Sequence, residues 1–420
     1  MRRTALLSVA ALAVAILLSG CGRKIPYHIE PKYSAADEQF PRTMGSLLGP
    51  PIVAGNKVAT LVNGDEIFPA MLEAIRSAKK TVNFETFVYW SGTVGNDFTE
   101  ALCDRAKAGV NVHVIVDFIG ASRIDRGYFR RLKDAGVHLH VYHALKFYDI
   151  TSAHRVNYRT HRKLLIVDGR VGFTGGVGIA DEWRGDAQSP KQWRDTHYRV
   201  EGPAVAQLQA AFIDNWMETT GGVLHGEEFF PPLEPAGELP AQVFKSSSEG
   251  GSDSMQLMYL LSIAAAKSHV RLATAYFVPD RRTIEALLDA RRRGVTVQVL
   301  LPGKHIDEKI VRSASRAMWG DLLKGGVEIY EYQPTMYHCK LMIVDDRWVS
   351  IGSANLDNRS FRLNDEANLN VLDTTFAAEQ IAMFEEDLKR SKRVTYAQWK
   401  RRPWHVKLGE GMASMLGPQL

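Results

Sequence analysis

Cysteine is scarce in this chain: Cys21, Cys103 and Cys339 are the only three in 420 residues. Three thiols cannot build a disulfide framework, and no CxxC or Cys/His cluster has zinc-site spacing, so no metal is expected. Inside the body no apolar run reaches the length needed to span a bilayer, which excludes a polytopic membrane protein. Charge of one sign is lacking too. Lys and Arg total 52 against 47 Asp and Glu, a formal +5. That balance falls short of the concentrated basic footprint of a nucleic-acid binder, so no nucleic-acid partner is expected. With 45% hydrophobic and 24% charged residues, the composition is neither disordered nor collagen-like. The length suits roughly two to three domains, each able to bury a core.

The N-terminus reads as an address. Arg2 and Arg3 precede the apolar run Ala5–Leu18, broken only by Ser8. As a helix this run spans ~21 Å, too short to cross a membrane and suited to a secretory signal. Leu18-Ser19-Gly20-Cys21 resembles the bacterial lipobox, in which cleavage precedes the cysteine and its thiol is acylated. A plain signal or uncleaved anchor with an incidental cysteine is the alternative. The expectation is a lipoprotein anchored through Cys21 and facing the periplasm or cell exterior, with Gly22 favouring the outer membrane over the inner. Loss of residues 1–20 removes Arg2 and Arg3 and takes the charge from +5 to +3.

The body is one unit written twice. Ala78-Lys79 and Val82–Tyr89 match Ala266-Lys267 and Val270–Phe277; Glu100–Leu102 with Gly109–Val116 match Glu285–Leu287 with Gly294–Leu301; Ala135–Val137 matches Gly325–Val327. Similar order at nearly constant spacing means two related domains rather than a short-period solenoid. Within the first copy the pattern predicts a helix over Phe68–Lys79, a strand over Thr81–Tyr89, a helix over Asn96–Ala108 and a strand over Val110–Asp117. The runs Val112–Val116 and Val295–Leu301 suit strands buried on both faces. Each half is therefore expected to be an α/β layered domain, a mixed sheet flanked by helices, with a pseudo-twofold between the halves. The expected divisions are a signal peptide (1–20), a tether (21–54), a first domain (55–230), a Pro-rich linker (231–240), a second domain (241–394) and a basic, Trp-containing tail (395–420).

Chemistry-bearing residues recur at one place in both copies. His161-x-Lys163-x4-Asp168 is followed after seven residues by Gly175-Gly176, and His338-x-Lys340-x4-Asp345 by Gly352-Ser353 at the same spacing. One such motif could be an accident; two at corresponding positions with the same trailing pair are hard to assign to chance. An imidazole can serve as a nucleophile without first losing a proton in a costly step, and a second, protonated, as a general acid. Two lysines can neutralise negative charge that gathers at such a site. His161 and Lys163, two apart on an expected strand, would share a face, as would His338 and Lys340. Cys339, between them, would point away. Asp168 precedes Gly169 in a turn signal and lies far along the strand from His161, so Asp168 and Asp345 are expected to stabilise turns or the repeat interface.

The paired motifs resemble the phospholipase D superfamily, and most closely its bacterial cardiolipin synthases. Supporting segments are Gly55–Val58, Phe68–Ile75, Thr86–Tyr89, Tyr276–Asp280 and Ile351–Asp357. The resemblance covers residues ~55–400, and the lipobox departs from relatives that carry transmembrane helices or no signal. It implies a cofactor-free phosphatidyltransferase working through a phosphohistidine: two phosphatidylglycerol molecules give cardiolipin and glycerol. Phospholipid hydrolysis is the alternative, an endonuclease the next, and a non-catalytic lipid-binding lipoprotein the last. The resemblance also implies that Asp195 and Glu366 orient the imidazoles. It places Asn355, with Ser353 and Gly176, at the substrate; Asn355 has Gly178 at the matching position of the first copy, so the phosphate cradle should be asymmetric. The expected partners are phospholipid and a membrane surface. Tyr89, Trp90, Tyr276 and Phe277 are core packing or acyl contacts, and the basic tail with Trp399 and Trp404 is a surface helix or a membrane contact.

Overall fold

The structure is a computed structural model that describes residues 29–144, 157–247 and 254–420. The expected signal peptide, lipobox and Cys21 lie outside the described residues. The first half contributes strands β1 (Val53–Val62), β2 (Thr81–Thr86), β3 (Asn111–Asp117), β4 (His138–Tyr142), β5 (Arg159–Thr160), β6 (Leu164–Val167), β7 (Val171–Gly175) and β8 (Thr196–Glu201). The second contributes β9 (Leu239–Ser246), β10 (His269–Ala273), β11 (Phe277–Val278), β12 (Thr296–Pro302), β13 (Glu328–Tyr332), β14 (Leu341–Val344), β15 (Trp348–Gly352), β16 (Leu356–Asp357), β17 (Asn364–Leu372) and β18 (Ser391–Val394).

The two sheets expected from the repeat are fused into one. Its order is β18-β13-β12-β10-β14-β15-β17-β9-β1-β8-β7-β6-β2-β3-β4, with β5 paired to β17 off that path. The order is a palindrome about the antiparallel β9–β1 contact. On each side a hairpin (β6–β7, β14–β15) leads outward to three parallel strands (β2-β3-β4, β10-β12-β13). The pseudo-twofold axis therefore runs between β1 and β9. Strands covered by helices on both faces carry little polar alternation, which is why Leu164–Val167 is a continuous apolar run and Val112–Val116 is broken only by the buried His113.

Three apolar clusters fill the layers. One belongs to the first half around Phe84, Phe98 and Val114, and one to the second around Leu272, Val299 and Trp319. The third spans the axis, joining Leu164, Tyr198 and Phe212 to Val243, Ile343, Leu369 and Phe376. This shared core makes the halves one body. The expected helices appear as Asn63–Ser77 and Thr93–Lys107. Part of the expected tether is no spacer: Gln39–Leu48 is a helix burying Phe40, Met44 and Leu48 against the second half, with Phe40 edge-on to Trp348 at 5.0 Å.

Candidate active site

Both motif histidines sit where the chain crosses the pseudo-twofold. Strand β5 pairs in parallel with β17, so the His161 backbone N–H donates to the Asp365 carbonyl at 2.9 Å. The other crossing repeats this: Arg194 bridges Tyr337, and the His338 N–H donates to the Arg194 carbonyl at 2.8 Å. Each histidine is thereby placed beside the residue after its partner carbonyl, Glu366 in one case and Asp195 in the other. The expected strand placement needs correction. Residues 161–163 lie in the extended link between β5 and β6, and 338–340 just before β14. The lysines reach the site by another means: Lys163 Nζ donates to the His161 carbonyl at 2.7 Å, and Lys340 Nζ to the His338 carbonyl at 2.6 Å.

The carboxylates are exchanged between halves. His161 Nδ1 lies 3.0 Å from both oxygens of Glu366, and His338 Nδ1 lies 2.7 Å from Asp195 Oδ2. Each carboxylate holds further side-chain donors: Ser353 Oγ and, at 3.5 Å, Asn364 Nδ2 on Glu366, and Trp183 Nε1 on Asp195 at 2.8 Å. Trp183 was not anticipated, and nothing in its sequence neighbourhood signals this contact. Two expectations are corrected here. Ser353 hydrogen-bonds the carboxylate instead of facing substrate. Gly176 lies under Asp195, where a Cβ would come 2.1 Å from Oδ1, so its role is to leave room for that carboxylate. Asn355 is buried with its carbonyl oxygen turned to Thr274 Oγ1 and the Tyr276 N–H, at 3.3 and 3.4 Å. Asp168 and Asp345 stand away from the site. Each has positive φ and gathers three successive backbone N–H groups: Lys79, Lys80 and Thr81 for Asp168, and Lys267, Ser268 and His269 for Asp345.

Burial and charge set the protonation states. Burial pushes the His161 pKa down to about 4, with Glu366 pulling it back and Lys163 adding to the fall. Burial and Lys340 lower His338 as well. Burial alone would raise Glu366, but His161, Lys163 and Ser353 outweigh it and hold the carboxylate at about 2. Asp195 is likewise lowered against its burial, by His338 and Lys340. Burial brings Lys163 down to about 7, with Glu366 only partly offsetting it. The site thus holds two neutral imidazoles on two ionised carboxylates. Cys339 is buried with its thiol pushed up to about 12, which leaves it inert.

A cavity of about 330 Å³ opens onto both histidines and Lys163. Phe87, Val88, Trp90, Trp183, Trp193 and Tyr276 form its apolar and aromatic walls, and Ser122, Arg123, Glu182, Asp307 and Glu308 line the rest with Ile119 and Gly120. Trp90 and Tyr276 are therefore cavity wall, whereas Tyr89 and Phe277 are core. Among the described residues no cluster of His, Cys, Asp and Glu is built to hold a metal, and no helix is long and apolar enough to cross a membrane.

Comparison with known proteins matches this arrangement. The family described as cardiolipin synthase, phospholipase D-like domain, matches residues 71–188 and 259–388, one stretch in each half. The chain is 34% identical to the major cardiolipin synthase ClsA of Bacillus subtilis, over 87% of this chain and 76% of that protein. It is 34% identical to cardiolipin synthase A of Pseudomonas fluorescens, over 90% and 78%. Among solved structures, the phosphatidylserine synthase of Haemophilus influenzae shares the fold with a TM-score of 0.70 at 14% identity, covering 91% of this chain and all of that one.

Proposed function

The chain belongs to the family of phospholipase D-like cardiolipin synthases, and from that premise we propose that it is a phosphatidyltransferase joining two phosphatidylglycerol molecules into cardiolipin and glycerol. The observation that carries this reading is the pair of complete His–Lys sets, each imidazole fixed by a carboxylate of the other half, at one cavity walled in part by aromatic side chains. We assign the nucleophile to His161. Among the described residues nothing hydrogen-bonds its Nε2, whereas His338 Nε2 lies 3.1 Å from Lys340 Nζ.

In the first step His161 Nε2 attacks phosphorus, and the bond to the glycerol headgroup breaks. The leaving oxygen takes a proton from the His338 imidazolium, which forms as the anionic phosphodiester enters and raises that imidazole's proton affinity. Glu366 accepts the Nδ1–H of His161 and stabilises the positive ring of the phosphohistidine; Asp195 does the same for His338. Lys163 and Lys340 neutralise the phosphoryl oxygens. In the second step the terminal hydroxyl of another phosphatidylglycerol gives its proton to His338 and attacks phosphorus, which frees His161. The aromatic walls keep water from the phosphohistidine until that alcohol arrives. Purified protein and labelled phosphatidylglycerol should yield cardiolipin and glycerol, with phosphatidic acid minor. Phosphatidic acid dominating at every lipid density would make the protein a phospholipase D. His161→Ala and His338→Ala should each abolish turnover, and trapped label should map to the peptide holding His161; label on the His338 peptide would reverse the assignment.

The reading includes a site of action. The lipobox-like Leu18–Cys21 supports an acylated lipoprotein on the outer face of a bacterial membrane. Anchoring would confine enzyme and lipid alcohol to one surface and raise their effective concentration. Cys21→Ser should remove acyl labelling, and wild-type protein that never takes up labelled palmitate would overturn the anchor.

A further inference from the structure

The C-terminal helix Trp404–Ser414 is packed on the protein by the face that carries Glu410 and Ala413. Inward, Glu410 accepts from Arg316 Nε at 3.0 Å and from Arg402, and Ala413 joins Val278, Val311 and Ala314. The chain end is pinned beyond it: the Arg359 N–H donates to the Leu420 carbonyl at 3.1 Å and Asn358 Nδ2 to the Gly417 carbonyl at 3.0 Å. Outward stand Trp404, Leu408, Met412 and Met415, 57–80% exposed. Spacings of four, four and three put them on one stripe of the helix. Single exposed apolar side chains need no explanation, but a contiguous stripe on a firmly docked helix does.

The exposed charge of the segment that carries the stripe has one sign. From Ser391 to Leu420 the only acidic side chain is Glu410, buried and paired, while Lys392, Lys400, Arg401 and Lys407 are exposed. The helix lies on Lys309–Lys324, whose start follows directly on Asp307 and Glu308 of the cavity wall. Ile310, in the first turn, and Ile119, on the cavity wall, are themselves exposed.

We propose that this stripe is the protein's membrane-docking surface and that its partner is an anionic phospholipid bilayer. Trp404, Leu408, Met412 and Met415 enter the headgroup–acyl boundary, and Lys400, Arg401 and Lys407 meet lipid phosphates. Docking there brings the catalytic cavity to the source of its lipid. A second copy is a poorer occupant, since a twofold contact would set one cationic rim against the other. The proposal rests on the phosphatidyl-transfer reading, and the test separates the two.

The double variant Leu408→Glu/Met412→Glu should turn over phosphatidylglycerol in vesicles about tenfold or more slowly, because two inserted side chains become charged. On short-chain phosphatidylglycerol dissolved as monomers it should match the parent, since neither residue touches the cavity. A full-length Cys21→Ser chain in proteoliposomes, labelled at Leu408→Cys, should be quenched by brominated lipid, and the same label at Glu234→Cys should not; Cys103 and Cys339 are buried and escape labelling. Unchanged vesicle turnover, or a label on Leu408→Cys that stays unquenched, overturns the proposal. So does a change of oligomeric state in the double variant with vesicle turnover intact, which gives the stripe to a second copy. A parent inactive on both substrates refutes the function instead, and the quenching still decides the surface.

Discussion

Replacing Glu366 by Gln tests the exchanged carboxylates where their effect is largest. The glutamine can keep its carbonyl oxygen towards His161 Nδ1 and turn its NH2 to Ser353, whose hydroxyl accepts as readily as it donates. Orientation and tautomer therefore survive, and only charge is lost. A hydrogen bond to a charged group contributes about 1–1.5 kcal/mol more than a neutral one, so losing that increment as the phosphohistidine forms slows the step about five- to tenfold. A second loss falls on Lys163. Burial holds its ammonium at about 7 even with Glu366 pulling upward. Without the carboxylate it titrates lower still. If the fall is about one unit, the protonated share at pH 7 drops from about half to about a tenth, a further ~5-fold. Glu366→Gln should therefore cost about 25- to 50-fold in kcat/KM at pH 7 and only about five- to tenfold near pH 5.5, with the alkaline limb moved to lower pH. The assay is the pH profile of kcat/KM on monomeric short-chain substrate, which reports groups of the free enzyme. An equal loss at both pH values would refute the claim that Glu366 sustains the charge on Lys163. A loss under twofold throughout would remove Glu366 from the support of His161.

Asp168→Ala strips the acceptor from three backbone N–H groups and forces alanine into positive φ, so denaturant unfolding should show a loss of about 2–4 kcal/mol with kcat per folded molecule unchanged. Asp168→Asn, which tolerates that φ, should lose less; a dead enzyme of full stability would put Asp168 in the chemistry. Acidification should also destabilise the fold. Burial depresses His113 and His161 to about 4 and His197 to about 3, so each contributes stability above pH 6.5 that is lost as pH falls towards those values, about 2 kcal/mol apiece by pH 5. Glu85, raised by burial to about 7, returns about 2 kcal/mol over the same range. His113→Asn should flatten the net fall measured by denaturation at pH 7 and pH 5, and an unaltered slope would remove His113 from the account.

The duplication, the alternation of helix and strand and the four His and Lys side chains of the motifs were legible because each is written locally. Apolar runs of five to seven residues mark buried strands, and the motifs repeat with a fixed trailing pair. The fused sheet was not legible, since the β1–β9 contact joins strands some 180 residues apart through backbone bonds that leave no side-chain signature. The true neighbours of Gly176 and Ser353 were hidden for a similar reason. Their position after β7 and β15 is visible, but the carboxylates they meet come from β17 and the segment leading into β8. The Asp-Gly signal at Asp168 and the length of an extended strand point Asp168 and Asp345 to turns or the repeat interface, and the structure gives each three backbone donors.

Exchange of the carboxylates ties the chemistry to the duplication. His161 on its own half would hold a lysine but no carboxylate at Nδ1; Glu366 reaches it only because β5 adds to β17 across the axis. The same crossing supplies Asp195 to His338. A symmetric fold alone, however, delivers two equivalent imidazoles, and phosphoryl transfer needs one to attack while the other carries the proton. The departures from symmetry fall at this point. One half supplies Glu with a serine hydroxyl behind it, and the other a shorter Asp with an indole N–H in front and a glycine beneath. Lys340 lies against the His338 ring nitrogens, while Lys163 contacts only the backbone of His161. These differences fall on the groups that set basicity, so the two rings need not titrate alike once a phosphate arrives. The repeat builds the pair, and its local divergence falls on the groups that distinguish one ring from the other.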